Sequence, residues 1–267
     1  MPAPIPVIIH GASGRMGQAL LRMLAQFEDL RLAAALVPPG SALLGQRVDP
    51  LRQDGPCYGT TLADAVGGGV MVDFSVAGAF DAGLALARAQ GLAFVSGTTG
   101  LDARQRAALQ QAARDIAVLW SANFSIGIAV LTRVLREAAR ALPQWDCEIV
   151  EAHHARKLDA PSGTALALGR AVAAARGVDF DAVAVPARSG TQAPRAAGQI
   201  GFAAVRAGDI VGEHEVLLAG AGERIELAHR ASDRSIYARG ALVAARWLAT
   251  RPAGCYDFDQ VVGEATR

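Results

Sequence analysis

The sequence predicts an α/β fold. A parallel sheet with helices on both faces comes first, then an α+β unit built round a mixed or antiparallel sheet. Three observations predict it. Short apolar runs alternate with helical segments as far as Trp120, the pattern of strands buried on both faces and joined by helical crossovers. The carboxyl ends of these strands lead into small or polar residues, where open α/β sheets bind ligands. Beyond "SANFSIG" (Ser121–Gly127), strand-like runs follow one another without helices between them.

The elements read in order. "PVIIH" is a β-branched strand, followed by the turn "GASGRMG" and an apolar-periodic helix from Met16 to about Gln26. "RLAAALV" is the second strand and "VMVDFS" (Val70–Ser75) a buried one; Phe80–Gln90 is helical. "LAFVSGTTG" is a strand ending in a turn, Leu101–Arg114 a helix and "IAVLW" a strand. A long helix covers Gly127–Leu142, "CEIVEAHH" is a strand and Ser162–Arg176 a helix. The Gly- and Pro-rich "PARSGTQAPRAAGQIG" precedes the strands "IGFAAVRAG", "EHEVLLAG" and "RIELAHRA". A last helix, about Ile236–Leu248, is placed to pack back on the first domain. The expected division is a dinucleotide-type first domain of 1–124, completed by 236–267, and a second domain of 125–235.

Composition narrows the function. The 267 residues suit one large domain or two smaller ones, and 52% are hydrophobic, ample for a core. Lysine and arginine number 26 and acids 25, a net charge of +1. That balance argues against nonspecific nucleic-acid or anionic-membrane binding and leaves a small anionic substrate open. The three cysteines, Cys57, Cys147 and Cys255, form no C-x-x-C, which favours a reducing compartment without disulfides or a cysteine zinc site. The start "MPAPIPVIIHGASG" reads as neither a secretory signal nor a membrane span. The expectation is a soluble cytoplasmic protein.

"GASGRMG" spaces Gly11, Gly14 and Gly17 three apart between a strand and a helix. Glycine permits the tight turn and close backbone approach to a pyrophosphate, which the helix N-terminus favours. The form is G-x-x-G-x-x-G rather than G-x-G-x-x-G, so a ligand-free βα turn is the plain alternative. A ribose-binding Asp or Glu is expected about 20 residues on, but Leu36-Val37-Pro38-Pro39 stands there. Arg15 is the nearest cation for a 2′-phosphate, which tilts the reading towards NADPH or mixed use. "GTTG" (Gly97–Gly100) offers two hydroxyls at another strand end, for a ribose or a carboxylate, or as an ordinary turn with Thr99 or Asp102 at a helix N-cap.

The segment "EAHHARKLDAPSGTA" (Glu151–Ala165) concentrates the chemistry. His153, His154 and Lys157 carry or donate protons near neutral pH, and Ser162, Gly163 and Thr164 open a helix that favours an anion. Three readings stay open on local grounds. Adjacent histidines could ligate a metal, although no H-x-x-x-H or H-E-x-x-H is present. A strand-end histidine, a solvated lysine and a helix cap could be purely structural. Or a proton donor sits beside a dicarboxylate or keto-acid site. A short-chain dehydrogenase would need Tyr-x-x-x-Lys, but Leu62, Ala241 and Gln260 follow Tyr58, Tyr237 and Tyr256 at that spacing. No cysteine stands in a turn suited to a semialdehyde-dehydrogenase nucleophile.

Over nearly its whole length the chain resembles the 4-hydroxy-tetrahydrodipicolinate reductase (dihydrodipicolinate reductase) family of bacterial and plant lysine biosynthesis. The resemblance rests on "GASGRMG", "VDFS", "GTTG", "SANFSIG", "EAHHARKLDAPSGTA", "IGFAAVRAGDIVGEH" and "HRASDRSIYARGAL". It implies a Rossmann-type N-terminal domain, a substrate domain with an open mixed sheet, and a homotetramer. It implies NADH- or NADPH-dependent reduction of a cyclic imine to tetrahydrodipicolinate in the diaminopimelate route, without metal. Another cyclic imine or keto diacid, or a non-catalytic NAD(P) sensor, is the alternative. By this resemblance His153 is the catalytic proton donor or acceptor, and Lys157 a second proton donor and an electrostatic partner of the substrate. His154, Ser162, Gly163 and Thr164 hold a substrate carboxylate, and Thr99 sits between cofactor and substrate. Gly11, Ala12, Ser13, Gly14, Arg15, Met16, Val37, Pro38, Gly97, Thr98, Thr99, Ser121, Ala122, Asn123 and Phe124 contact the cofactor. Two departures stand out: Val37-Pro38 replaces an acidic–basic pair, and Ala77 replaces a proline.

Overall fold

The structure, a computed structural model, describes residues 3–51, 55–62 and 67–265. They form two compact units, one of residues up to 126 with those from 235 on, the other Gly127–Arg234. The first unit holds β1 (Ile5–His10), α1 (Arg15–Leu24), β2 (Leu30–Leu36), β3 (Tyr58–Gly59), β4 (Val70–Asp73), α2 (Ala77–Ala89), β5 (Ala93–Ser96), α3 (Ala103–Ala112) and β6 (Ala117–Trp120). The second holds α4 (Ile126–Ala141), which begins at the boundary, β7 (Asp146–His153), α5 (Gly163–Arg176), α6 (Phe180–Val183), β8 (Ala184–Val185), β9 (Ile200–Arg206), β10 (Gly212–Ala219) and β11 (Arg224–Ala231). The chain then completes the first unit with α7 (Ser235–Leu248), β12 (Gly254–Tyr256) and α8 (Phe258–Ala265).

The first sheet is parallel throughout, in the order β12-β6-β5-β4-β1-β2-β3. The strand order reverses between β1 and β4, so the crevice at their carboxyl ends is the place for a ligand. Val70, Met71 and Val72 of β4 are fully buried, as a strand covered on both faces requires. Each such side chain contributes about 1.5–3 kcal/mol over leaving it exposed. α1 buries Gly17, Leu20, Met23 and Leu24, a helical stripe that lays it against the sheet. α7 packs so closely that a Cβ on Gly240 would overlap the Phe124 carbonyl oxygen.

The second sheet is mixed, in the order β11-β10-β7-β9-β8. β7 pairs in parallel with β9 and antiparallel with β10. One face packs on α4 and α5 through Leu135, Ile149, Leu168, Val172, Phe202, Val216 and Leu218. The opposite face leaves Val150 and Val205 exposed. α5 starts where the Ser162 side chain accepts from Ala165 N and stops at Gly177, whose φ of +68° suits the left-handed cap.

Several elements depart from the sequence expectation. α2 begins at Ala77 rather than Phe80, because Val76 is an extended N-cap without a side-chain bond and leaves no start signal. β3, α6, β8, β12 and α8 were not expected. The first four are short, from two to four residues, too short for a period to show.

Candidate functional site

At the end of β1 the chain turns at Gly11, whose φ is +81°. A Cβ there would lie 2.7 Å from the Phe74 carbonyl oxygen and 2.8 Å from Ser75 Cα. Gly14 is the N-cap of α1, with no side-chain bond, and a Cβ on Gly17 would overlap Gly11 and Ala12 backbone. The turn is therefore drawn tight against its neighbours, and the N-terminus of a ten-residue helix stays uncapped by any side chain. Ser13, Gly14 and Arg15 are exposed around it, Ala12 is buried and Met16 half-buried. This cradle fits the pyrophosphate of a dinucleotide.

Beside it lies a buried carboxylate. Asp73 ends β4 at 0% exposure. Its Oδ2 accepts from Ser96 Oγ and Thr98 Oγ1, both at 2.8 Å, and its Oδ1 accepts from Ser75 N at 3.2 Å. His10 Nδ1 lies 2.8 Å from Oδ1. Burial alone would raise this carboxyl, but its hydrogen bonds and the His10 charge outweigh that and hold it below the usual range. "GTTG" thus divides its labour. The Thr98 hydroxyl is spent on Asp73 and its carbonyl accepts from Trp120 Nε1 at 2.8 Å, while Thr99 is exposed. Gly97 passes so close to the Phe74 ring that a Cβ would overlap it, and Asp102, not Thr99, caps α3.

The other residues expected at the cofactor are arranged unevenly. Val37 is buried and donates its N–H to Gly59 O at 2.9 Å, and Pro38 is exposed. Ser121 Oγ donates to Asn123 O at 2.7 Å, Asn123 Oδ1 accepts from Ser125 N at 2.8 Å, and Ala122 is exposed. The Phe124 side chain is buried between Phe74 and Phe258, with ring centroids 5.6 and 5.1 Å away. Its share in any cofactor contact falls to its backbone.

The second unit gathers the titratable groups. Glu151 and His153, two apart on β7, face the same side. His153 Nδ1 lies 2.6 Å from Glu151 Oε2. The Arg206 guanidinium, brought opposite His153 by the β7–β9 register, grips both Glu151 oxygens at 2.7 and 2.9 Å. Ser162 N donates to Glu151 Oε1 at 3.1 Å, and Ser162 Oγ lies 3.1 Å from His214 Nε2. His214 is buried; burial first, then the charge of His153, push it down to about 4. Lys157 Nζ donates to both oxygens of Asp159 at 2.8 and 2.9 Å. The same carboxylate takes a backbone hydrogen bond from Gly163, and the Lys157 bond leads in holding it below the usual range. One carboxylate therefore sits between the Lys157 ammonium and the start of α5, next to Thr164. His154 is half-buried; burial, then the charges of Arg156, Arg234, His153 and Lys157, lower its affinity for a proton.

The structure thus brings His153, Ser162 and, through Asp159, Lys157 and Gly163 into one neighbourhood. Sequence reasoning passed over Glu151, Arg206 and His214. The period of two along β7 could have found Glu151. A histidine alternating with Val216 and Leu218 on an apolar strand face could have flagged His214. Among the described residues no group of three His, Cys, Asp or Glu side chains is placed to hold a metal ion.

Comparison with known proteins gives this geometry a family. A model described as dihydrodipicolinate reductase, N-terminus, matches residues 5–124, and one described as dihydrodipicolinate reductase, C-terminus, matches residues 127–262. The chain belongs to the dihydrodipicolinate reductase family. A relative within it, the 4-hydroxy-tetrahydrodipicolinate reductase of Xanthomonas campestris pv. campestris, is 49% identical over 264 residues, 97% of this chain and 98% of that protein. Its namesake from Nitrosomonas europaea is 42% identical over 264 residues, with 97% and 98% covered. The fold is shared with dipicolinate-bound dihydrodipicolinate reductase from Paenisporosarcina sp. TG-14, at a TM-score of 0.74 and 22% identity over 95% of this chain and 97% of that one. The family works with a nicotinamide dinucleotide, NAD(P), which the glycine cradle fits.

Proposed function

We propose that the chain reduces 4-hydroxy-tetrahydrodipicolinate to tetrahydrodipicolinate, in the diaminopimelate route of lysine biosynthesis, with NADPH or NADH. The observation that carries this reading is the second unit's pairing of a carboxylate-binding helix start with proton donors. Asp159 already occupies one carboxylate position between Lys157 and Gly163. His153 and Ser162 N meet across Glu151.

Gly11 to Met16, Gly97 to Thr99 and the backbone of Ser121 to Phe124 hold the cofactor. A bound nicotinamide dinucleotide supplies the hydride. His154, Ser162, Gly163 and Thr164 orient a substrate carboxylate at the start of α5, where N–H groups and the helix dipole favour an anion. Ser162 works mainly through position, since its N–H donates to Glu151 while its hydroxyl accepts from Ala165 N and lies against His214 Nε2. Loss of the 4-hydroxyl as water first gives a conjugated cyclic imine, and hydride addition at its far carbon then leaves negative charge on the ring nitrogen. His153 Nε2 or Lys157 Nζ delivers a proton there and stabilises that charge on the way. Val37 and Pro38 provide neither a carboxylate for the ribose nor a cation for a 2′-phosphate, so both coenzymes are accepted and Arg15 favours NADPH.

The chain acts in the cytoplasm as a homotetramer, without nucleic-acid or membrane partners; among the described residues no helix is long and apolar enough to cross a membrane. The sheet face carrying Val150 and Val205 is the available self-association surface. Turnover of NADPH and of NADH, with dihydrodipicolinate synthase supplying the substrate, tests the activity. Light scattering tests the assembly; a monomer at micromolar concentration would contradict it.

A further inference from the structure

Glu151 has no assigned role, yet four hydrogen-bond contacts converge on it. It is 1% exposed. Oε1 accepts from Arg206 Nη2 at 2.7 Å and from Ser162 N at 3.1 Å. Oε2 accepts from Arg206 Nη1 at 2.9 Å and lies 2.6 Å from His153 Nδ1. Burial would raise this carboxyl, but the hydrogen bonds and charges of Arg206 and His153 prevail and hold it below the usual range. It is therefore ionised near neutral pH, and an ionised carboxylate only accepts. The hydrogen between Glu151 and His153 belongs to Nδ1. The reacting position of the ring is then Nε2, which faces Gly212, where a Cβ would stand 3.1 Å away. The His214 ring meets it edge-on, with centroids 5.2 Å apart.

We propose that Glu151, clamped by Arg206, is a positioning residue. It fixes His153 as the Nδ1–H tautomer and so reserves Nε2 for delivering the proton to the reduced substrate. This rests on the reading of His153 as a proton donor. The step balances simply: the doubly protonated ring gives up the Nε2 proton to the substrate nitrogen and is left neutral, with its Nδ1–H still on Glu151. A neutral amide at this position reverses the arrangement. In Glu151→Gln, keeping oxygen towards Ser162 N turns the amide N–H towards His153 Nδ1. That nitrogen then becomes an acceptor, the ring's one hydrogen moves to Nε2, and delivering it would leave an imidazolate.

Two measurements test this. The first is ¹⁵N NMR of histidine-labelled full-length chain, with His153 assigned by difference from His153→Gln. The neutral ring is expected with hydrogen on Nδ1 and a bare Nε2; hydrogen on Nε2 overturns the proposal. This arm needs no folded Glu151 variant. The second is kinetic: Glu151→Gln should lower kcat on the order of 10²–10⁴-fold while the Kd for 2,6-pyridinedicarboxylate stays close to that of the unaltered chain. In a His153→Ala background the same substitution should slow the enzyme no further, since residues that act as one unit are non-additive. Multiplying losses, or a lost Kd with an unchanged kcat, would reduce Glu151 to a structural residue. If the unaltered chain fails to turn over, the functional reading falls instead, and the NMR result still decides the tautomer.

Discussion

Acidification should destabilise this protein in part through His214, beside the carboxylates held below their usual range. It is 4% exposed, its Nε2 lies 3.1 Å from Ser162 Oγ, and its Nδ1 is buried without a hydrogen-bond partner. Burial and the neighbouring His153 charge hold it at about 4, against an ordinary value of 6.5. The unfolded chain therefore takes up this proton first as pH falls, and folding loses free energy across the interval from 6.5 down to about 4. From those two values the loss relative to neutral pH is about 2 kcal/mol at about pH 5 and about 3 kcal/mol at about pH 4. Urea unfolding of the chain and of His214→Gln, each at about pH 7 and about pH 5, isolates the effect. A uniform loss of packing in the variant cancels in the difference between pH values, as do the carboxylates common to both proteins. The variant should lose about 2 kcal/mol less than the parent on acidification. Identical pH dependence in the two proteins would refute the reasoning.

Further outcomes follow from other sites. Asp73→Asn sets an amide N–H against the donors of Ser96, Thr98 or His10 and should cost about 1–3 kcal/mol, read by urea unfolding. Gly11→Ala forces a side chain into a φ of +81° and against Phe74 O; it should abolish NADPH binding, seen as loss of the coenzyme's fluorescence enhancement. Lys157→Ala and His153→Gln should each lower kcat on the order of 10²–10⁴-fold. Near-normal kcat in both would remove them from the proton-delivery role.

The alternation of strand and helix in the first unit was legible because each element is long enough to show its period and is bounded by glycine or polar residues. "VMVDFS" and "RLAAALV" gave β4 and β2 in this way. β12 was not legible, because Gly254–Tyr256 is a strand only by pairing with β6, a contact local sequence does not encode. The same limit governed the site. His153, Lys157 and Ser162 stood out because they lie in one short segment. Arg206 lies 55 positions from Glu151, and only the parallel register of β9 on β7 brings it there. Asp73 looked like the last residue of an apolar strand. Its meaning comes from Ser96 and Thr98, which the neighbouring strand supplies. Val37 and Pro38 remain the most informative departure, because neither carries the charge expected at that place in the sequence.

The most direct test of the account is a coupled assay. Purified chain, dihydrodipicolinate synthase with its substrates, and NADPH or NADH are followed by the fall in nicotinamide absorbance. Oxidation of both coenzymes is expected, dependent on the synthase and collapsing in His153→Gln. No oxidation of either, with the synthase demonstrably active, would contradict it.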